Sequence, residues 1–482
     1  MGIISRISSG IPGLDKILYG GFPSCGAYLL RGGPGTGKTT LGMHFLSEGI
    51  RQGESVLFIT LEEPAEQLKK HYGRMGFPVD DMPVLDISPG VEFFAEKQSY
   101  DIFSAAEVER DPITSSIIKR IEELKPVRVF LDPVTQLRFL ATETYQFWKQ
   151  ILSFIRYLKE KNATIVFTSE AGSDMPDDDL QFLSDGIIEL IVDKNDVKNL
   201  RIKKLRGSDF ISGRHGYRLG ASGMQVFPVA HIDVIDKDSK IADFSVISTG
   251  IAELDSILGG GIERGTVSLI SGPSGVGKTT LGIQLASAWA SYGISTAYYS
   301  FEEEVEMIAH RASRVGISVD TLSSKHDFIL EKIESLSYTA EEFFCKVEQD
   351  IKENSIGLVV IDSSRGYSLS VKNGDVITSL HALCKSLQKK GVSVIIMEET
   401  ADITGTFSAT STNNSYLADI ILFIRYFEAN AMLRKAIGVL KKRTGDFEKF
   451  LREFEITSSG IKIGEPLTSF KGLLSGIAEQ QV

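Results

Sequence analysis

Short apolar runs recur along the chain, each followed by a polar or amphipathic stretch of helical character. Ala27–Leu30 and Val267–Ile270 lead into glycine-rich turns, and helical patterns follow over Thr40–Arg51 and Thr280–Tyr292. Ser55–Thr60 and Thr296–Ser300 each end at an acidic pair, while Val127–Leu131 and Leu358–Ile361 each end in Asp. A further matched pair is Thr164–Thr168 and Ser393–Met397. Runs this short and uninterrupted read as strands buried on both faces, and their alternation with helices predicts an α/β fold of mostly parallel sheets flanked by helices.

The pattern occurs twice. Ile-Ser-Ser-Gly-Ile-Pro-Gly-Leu-Asp at 7–15 returns as Ile-Ser-Thr-Gly-Ile-Ala-Glu-Leu-Asp at 247–255. A period near 240 residues is a duplicated domain, not a solenoid. The expected division is a first domain over 1–230, a charged linker over 231–245, a second domain over 246–460, and a tail over 461–482 without counterpart in the first half. Ile232–Ile235 is alternatively an edge strand.

The glycine-rich turns carry the chemistry. Gly-Gly-Pro-Gly-Thr-Gly-Lys-Thr (32–39) and Gly-Pro-Ser-Gly-Val-Gly-Lys-Thr (272–279) both satisfy G-x-x-x-x-G-K-[ST]. Such a loop turns its backbone N–H groups inward around phosphates, and the following helix adds its positive N-terminal end. Candidate nucleotide contacts are Gly33, Gly35, Thr36, Gly37, Lys38, Thr39 and Thr40, and in the second copy Ser274, Gly275, Val276, Gly277, Lys278, Thr279 and Thr280. Both lysines are expected on the β- and γ-phosphates of ATP, and Thr39 and Thr279 on Mg²⁺. Asp132 and Asp362 end apolar strands, where a carboxylate holds Mg²⁺ or merely caps a helix. Glu62–Glu63 and Glu302–Glu303 begin 24 residues after Lys38 and Lys278 respectively. A carboxylate there can activate a nucleophile, or simply open a solvated helix. Glu302 is a further candidate ligand for the second Mg²⁺. Lys203–Arg206 and Lys441–Arg443 lie late in each half, as solvated strand ends or as cations serving a neighbouring subunit's phosphates.

Composition narrows the function. The 482 residues are 42% hydrophobic and 24% charged, ordinary for a globular protein. With 52 basic against 63 acidic residues, the net charge of −11 disfavours a broad nucleic-acid surface. Cys25, Cys345 and Cys384 are scattered, which predicts neither a disulfide framework nor zinc and fits a reducing cytoplasm. No apolar run suffices for a membrane span.

The paired P-loops, both Glu-Glu pairs, the repeated opening motif and Lys-Leu-Arg-Gly at 204–207 together resemble the KaiC circadian-clock ATPase family. The resemblance covers nearly the whole chain. It implies two tandem RecA-like P-loop domains, stacked as two rings in a homohexamer with ATP between subunits. The first ring would be mainly an ATPase, and the second would also phosphorylate hydroxyls on its neighbour. By resemblance, Glu62 and Glu63 activate water, Glu302 and Glu303 serve the second ring, and Lys204, Arg206, Lys441 and Arg443 reach a neighbour's phosphates. Thr444 stands where the family has glycine.

In the family, adjacent Ser and Thr precede an Asp that opens a strand. Counting back from Asp419, Ser415 and Tyr416 hold those positions; in the first half, counting from Asp185, Gln181 and Phe182 do. Ser415 is thus the candidate phosphoacceptor, Tyr416 a second, or Ser415 is only a turn residue. The tail from Gly464 resembles the family's pore segment, but little follows Gly476. KaiA-type regulation is therefore not expected, whereas a KaiB-like partner on the first ring is compatible with the sequence.

Two other functions compete. A RecA- or DnaB-like nucleic-acid motor predicts basic pore loops, yet Ala171–Leu180 carries Asp174, Asp177, Asp178 and Asp179, and Thr400–Asn414 has no Lys or Arg. A nucleotide-gated scaffold would bind ATP with little turnover.

Overall fold

The computed structural model describes residues 5–88, 105–140, 144–170, 177–194, 196–230, 244–317, 319, 328–372, 376–400, 414–429, 431–473 and 479–480. Most of the expected linker, Asp174, residues 411–413 and the stretch around Gly476 lie outside them. The chain forms two compact units, 1–229 and 230–482.

The first unit is built on nine strands: β1 (Ala27–Gly32), β2 (Val56–Thr60), β3 (Val84–Asp86), β4 (Arg128–Asp132), β5 (Thr164–Glu170), β6 (Gly186–Val192), β7 (Lys198–Leu205), β8 (His215–Gly220) and β9 (Gly223–Phe227). Their order in the sheet is β3-β2-β4-β5-β1-β6-β7-β8-β9. From β3 through β6 all pairings are parallel, and from β6 to β9 they are antiparallel. The second unit repeats this with β10 (Val267–Gly272), β11 (Thr296–Ser300), β12 (Phe328–Lys332), β13 (Leu358–Asp362), β14 (Ser393–Glu399), β15 (Ile420–Ala429), β16 (Met432–Lys442), β17 (Arg452–Thr457) and β18 (Gly460–Pro466). The order β12-β11-β13-β14-β10-β15-β16-β17-β18 is the same topology.

The central strands are apolar throughout because both faces are covered. Tyr28 and Leu30 enter one core layer with Phe58, Phe130 and Val166. Ala27 and Leu29 enter the opposite layer with Leu57, Val129 and Phe167. Successive side chains point to opposite faces, so each strand feeds two cores. In the second unit, Ile270 with Tyr298 and Val360 lies in one layer, and Leu269 with Tyr299 and Val359 in the other.

The repeated opening motif is structural. Asp15 accepts hydrogen bonds from Ser8 Oγ (2.5 Å) and the Ser9 N–H (2.7 Å), pinning the chain ahead of a short helix. Asp255 likewise accepts the Thr249 N–H and hydroxyl, each at 2.7 Å.

One boundary differs from expectation. The second sheet does not end at 460. Residues 460–466 form β18, which pairs antiparallel with β17, as β9 does with β8. The start of the supposed tail therefore has a first-half counterpart. Its polar residues hid an edge strand, which buries little on its outer side. Among the described residues, no helix is long and apolar enough to cross a membrane.

Candidate functional site

Each glycine-rich turn joins the central strand to a long helix: β1 to α1 (Lys38–Arg51), and β10 to a helix over Lys278–Ser291. Both helices begin two residues before the predicted start, directly after a left-handed glycine. Gly37 has φ of 90° and Gly277 of 116°, a region that costs an ordinary residue conformational energy. A side chain would also be crowded: a Cβ on Gly37 would meet Leu219 Cδ2 at 2.7 Å, and one on Gly277 would meet Ile456 Cδ1 at 2.6 Å, so these side chains would have to move. The antiparallel edge thus backs the loop, and Tyr217 donates its hydroxyl to the Thr36 carbonyl at 2.8 Å.

Gly33, Gly35, Thr36, Gly37, Lys38, Thr39 and Thr40 lie consecutively around this turn, and Thr36 Oγ1 closes it on the Gly33 carbonyl at 2.8 Å. In the second turn, Ser274 and Gly275 are exposed while Val276 and Thr280 are buried. Lys38 Nζ donates to the Gly32 and Gly33 carbonyls at 2.8 and 3.0 Å. Lys278 makes the same bonds to Gly272 and Pro273 at 2.8 and 2.9 Å. Burial lowers the pKa of both ammonium groups, opposed by carboxylates from several strands.

Asp132 meets the loop directly, accepting from Thr39 Oγ1 at 2.5 Å and from Thr168 Oγ1. Asp362 accepts from Tyr298 at 2.5 Å and from Thr279. Each threonine–carboxylate pair offers hard oxygen donors, which suit Mg²⁺. Among the described residues no group of three or more His, Cys, Asp or Glu could hold a metal alone. An ion shared with phosphate needs only one or two protein carboxylates, so the pairs fit.

The sequence reading treated each Glu pair as a unit; the structure separates its members. Glu62 lies within electrostatic reach of Lys38, Asp132 and Glu170. Partial desolvation first, then the charges of Glu170 and Asp132, push its carboxyl above the ordinary range. Glu63 instead faces His71 Nδ1 at 2.8 Å. In the second copy Glu302 interacts with Lys278 and accepts a hydrogen bond from Ser363. Glu303 pairs with Arg311 at 2.6 Å. The second member of each pair is thus occupied by a basic residue eight positions on.

The late cations lie at the other end of the sheet. Lys204 Nζ donates to the Gln181 carbonyl at 2.9 Å. Lys441 Nζ donates to the Ser415 carbonyl at 2.9 Å and the Ala418 carbonyl at 2.6 Å. Gln181 and Ser415 are therefore structural equivalents. A β-bulge directly follows each lysine's pairing partner, between Ile187 and Ile188 and between Ile421 and Leu422. Bulges commonly re-aim a side chain in this way. Arg206 lies 3.9 Å from Asp185, and Arg443 lies 3.4 Å from Asp419 with a hydrogen bond to the Tyr416 carbonyl. Asp185 and Asp419 in turn accept the Ala27 and Val267 N–H groups at the start of each central strand. Exposed aromatics follow the equivalent positions: Phe182 (77%) and Tyr416 (52%).

The acidic stretch needs correction. Asp177 is buried against Arg31 at 3.0 Å, and Asp179 pairs with Arg138 at 2.5 Å. Internal cations neutralise these two carboxylates, so they do not form a phosphate-repelling loop.

Several site residues escaped the sequence reading. Glu170 and Glu399 end β5 and β14 beside the loops, in register with Gly32 and Gly272; an acidic residue closing both strands was the available signal. Tyr72 hydrogen bonds with Thr40 and Thr39 in the first unit, whereas Tyr298 reaches Asp362 in the second. These phenols come from different elements, so no repeat comparison reveals them.

The ATPase family described as KaiC matches residues 7–231 and again 247–468. The chain is 25% identical over 484 residues to circadian clock protein KaiC3 of Synechocystis sp., covering 98% of this chain and 94% of that one. It is 27% identical over 493 residues to the circadian clock oscillator protein KaiC of Prochlorococcus marinus, covering 98% and 95%. The same protein of Parasynechococcus marenigrum is 24% identical over 494 residues, covering 98% and 93%. Two P-loops on two copies of one sheet topology, with matches spanning both, establish that the chain belongs to the KaiC family of ATPases.

Proposed function

We propose that the protein is an ATP phosphohydrolase and serine autokinase, acting as a double-ring homohexamer in which each nucleotide site is completed by a neighbouring copy. One observation carries this reading. The second P-loop follows the C-terminal end of β10, whereas Ser415, Lys441 and Arg443 cluster where β15 begins beside the N-terminal end of β10. The six residues of β10 separate them by roughly 17 Å at 3.3 Å per residue. Ser415 is out of reach of its own γ-phosphate, so the acceptor and its cations serve the ATP of another copy.

In the first repeat, Glu62 takes the proton of an attacking water. In the second, Glu302 takes the proton of the Ser415 hydroxyl as its oxygen bonds to the γ-phosphorus and ADP leaves. Lys38 and Lys278 hold the phosphates. Magnesium, when bound by Thr39 with Asp132 or Thr279 with Asp362, neutralises charge on the β- and γ-phosphates. Lys204 with Arg206, and Lys441 with Arg443, balance that charge from the neighbour. Glu63 and Glu303 support their partners through His71 and Arg311. Domain limits near 230 and 466, a cytoplasmic location, and a role in timing or signalling with a KaiB-like partner complete the reading; the clock names of the relatives support the last.

The test mixes two full-length variants with Mg-ATP. Lys278→Ala lacks a working second site, and Ser415→Ala lacks the acceptor. Phosphate on Ser415 of the Lys278→Ala chains, found by mass mapping of the 411–419 peptide, is expected only if transfer runs between copies. An unmodified peptide from protein that hydrolyses ATP would refute the autokinase.

A further inference from the structure

The two Glu pairs match in sequence but sit differently. Ser363, 4% exposed, follows the strand-end Asp362 and caps the helix Ser364–Ser370, its Oγ accepting the Gly366 N–H at 3.1 Å. A hydroxyl carries one proton. With the backbone N–H on its oxygen, Ser363 points that proton at Glu302 Oε1, 2.5 Å away. Gly366 keeps the approach open: a Cβ there would meet Phe301 Cβ at 2.7 Å, Glu302 Cγ at 3.0 Å and Glu302 Oε1 at 3.2 Å. Ser364 likewise donates to the buried Glu398.

The first repeat lacks this arrangement. Counting from its strand-end Asp132, Pro133 stands where Ser363 does and Gln136 where Gly366 does. Proline has no hydroxyl to offer Glu62, and glutamine carries a side chain where glycine has none.

We propose that Ser363 and Gly366 form a seat that fixes the Glu302 carboxylate in one orientation, making Ser363 a positioning residue specific to the second nucleotide site. This rests on Glu302 being the proton acceptor there. With Oε1 engaged, Oε2 is the oxygen that takes the proton as the acceptor oxygen bonds to the γ-phosphorus and the bond to the bridging oxygen of ADP breaks. The seat exists only in the repeat that carries a hydroxyl at the phosphoacceptor position, Ser415, so it separates a site for a tethered acceptor from one for water.

The experiment uses the full chain with first-site turnover silenced by Glu62→Gln, following ATP hydrolysis and Ser415 phosphorylation. Glu302→Gln in that background must first abolish the remaining turnover; if it does not, the proton-acceptor reading fails, independently of the seat. Ser363→Ala is expected to lower kcat about 10- to 100-fold with KM for ATP changed less than about twofold, because the hydrogen bonds of Ser363 run to Glu302, Gly366 and Tyr367. Ser363→Thr, which keeps the hydroxyl and the cap, is expected to restore the rate. Gly366→Ala retains the hydroxyl but crowds Glu302, so it is expected to lower kcat too, and it tests the seat if Ser363→Ala does not fold. A parental kcat in Ser363→Ala, a loss confined to KM, or failure of Ser363→Thr to rescue would each overturn the seat.

Discussion

Glu170 ends β5 beside Gly32, and its charge helps raise the pKa of the Glu62 carboxyl. Protonated Glu62 cannot act as the proposed proton acceptor, so first-site hydrolysis is expected to rise as pH climbs through its pKa, above the usual carboxylate range. Glu170→Gln removes a like charge and is expected to move that limb to lower pH. Rate profiles in a Glu302→Gln background check this; an unmoved limb would mean Glu62 is not the titrating group. At this scale the sequence showed identities tied to fixed spacing, namely Lys38, Lys278, Asp132 and Asp362. It could not show Ser363, Tyr72 or Tyr298, whose roles arise from contacts across elements far apart in the chain. Nor could it divide each Glu pair, because the deciding partners His71 and Arg311 lie eight positions beyond the motif, on the helix that follows. The aromatic rings of Phe182 and Tyr416, exposed at equivalent places, show that the ring, not the hydroxyl, is what the two copies share.

At the scale of elements, the central strands were legible because burial on both faces leaves an unbroken apolar run. Edge strands were not: β18 buries only Gly460 and Ile463 among partly or fully exposed residues, so it leaves no apolar run. The antiparallel edge nevertheless matters to the loop, since Ile456 of β17 lies where a side chain on Gly277 would go. Gly277→Ala therefore combines a left-handed backbone with a steric collision. It is expected to destabilise the second unit by at least about 1–2 kcal/mol and to abolish nucleotide binding there, while the first site still binds. Melting curves with and without nucleotide would separate the effects; unchanged affinity at the second site would contradict them. The paired bulges before Lys204 and Lys441 were equally hidden, because a one-residue register shift leaves no compositional trace.

Across the whole molecule, duplication was plain from the repeated motifs, and the identical strand orders show that it extends to topology. The proposed assembly rests on where the candidate functional groups fall on each sheet. Native mass measurement with Mg-ATP is expected to show a discrete higher assembly, with dimers absent as an end state; a protein that stayed monomeric while fully active would contradict the shared site, and a dimeric end state would contradict the ring.

If phosphate passes between copies as proposed, the separation of P-loop and Ser415 across the length of β10 also constrains symmetry. Each copy carries a donor surface at one end of its strands and an acceptor surface at the other, and these surfaces differ. A two-fold axis pairs the two ends reciprocally and completes both sites within a closed dimer. The proposed ring uses a heterologous contact instead, and any open row of copies built on it leaves one unmatched surface at each terminus. Only closure satisfies every copy; six require a rotation of about 60° between neighbours, and a contact that misses closure would grow a filament. The angle at this interface therefore decides whether the protein is a machine of fixed size or a polymer.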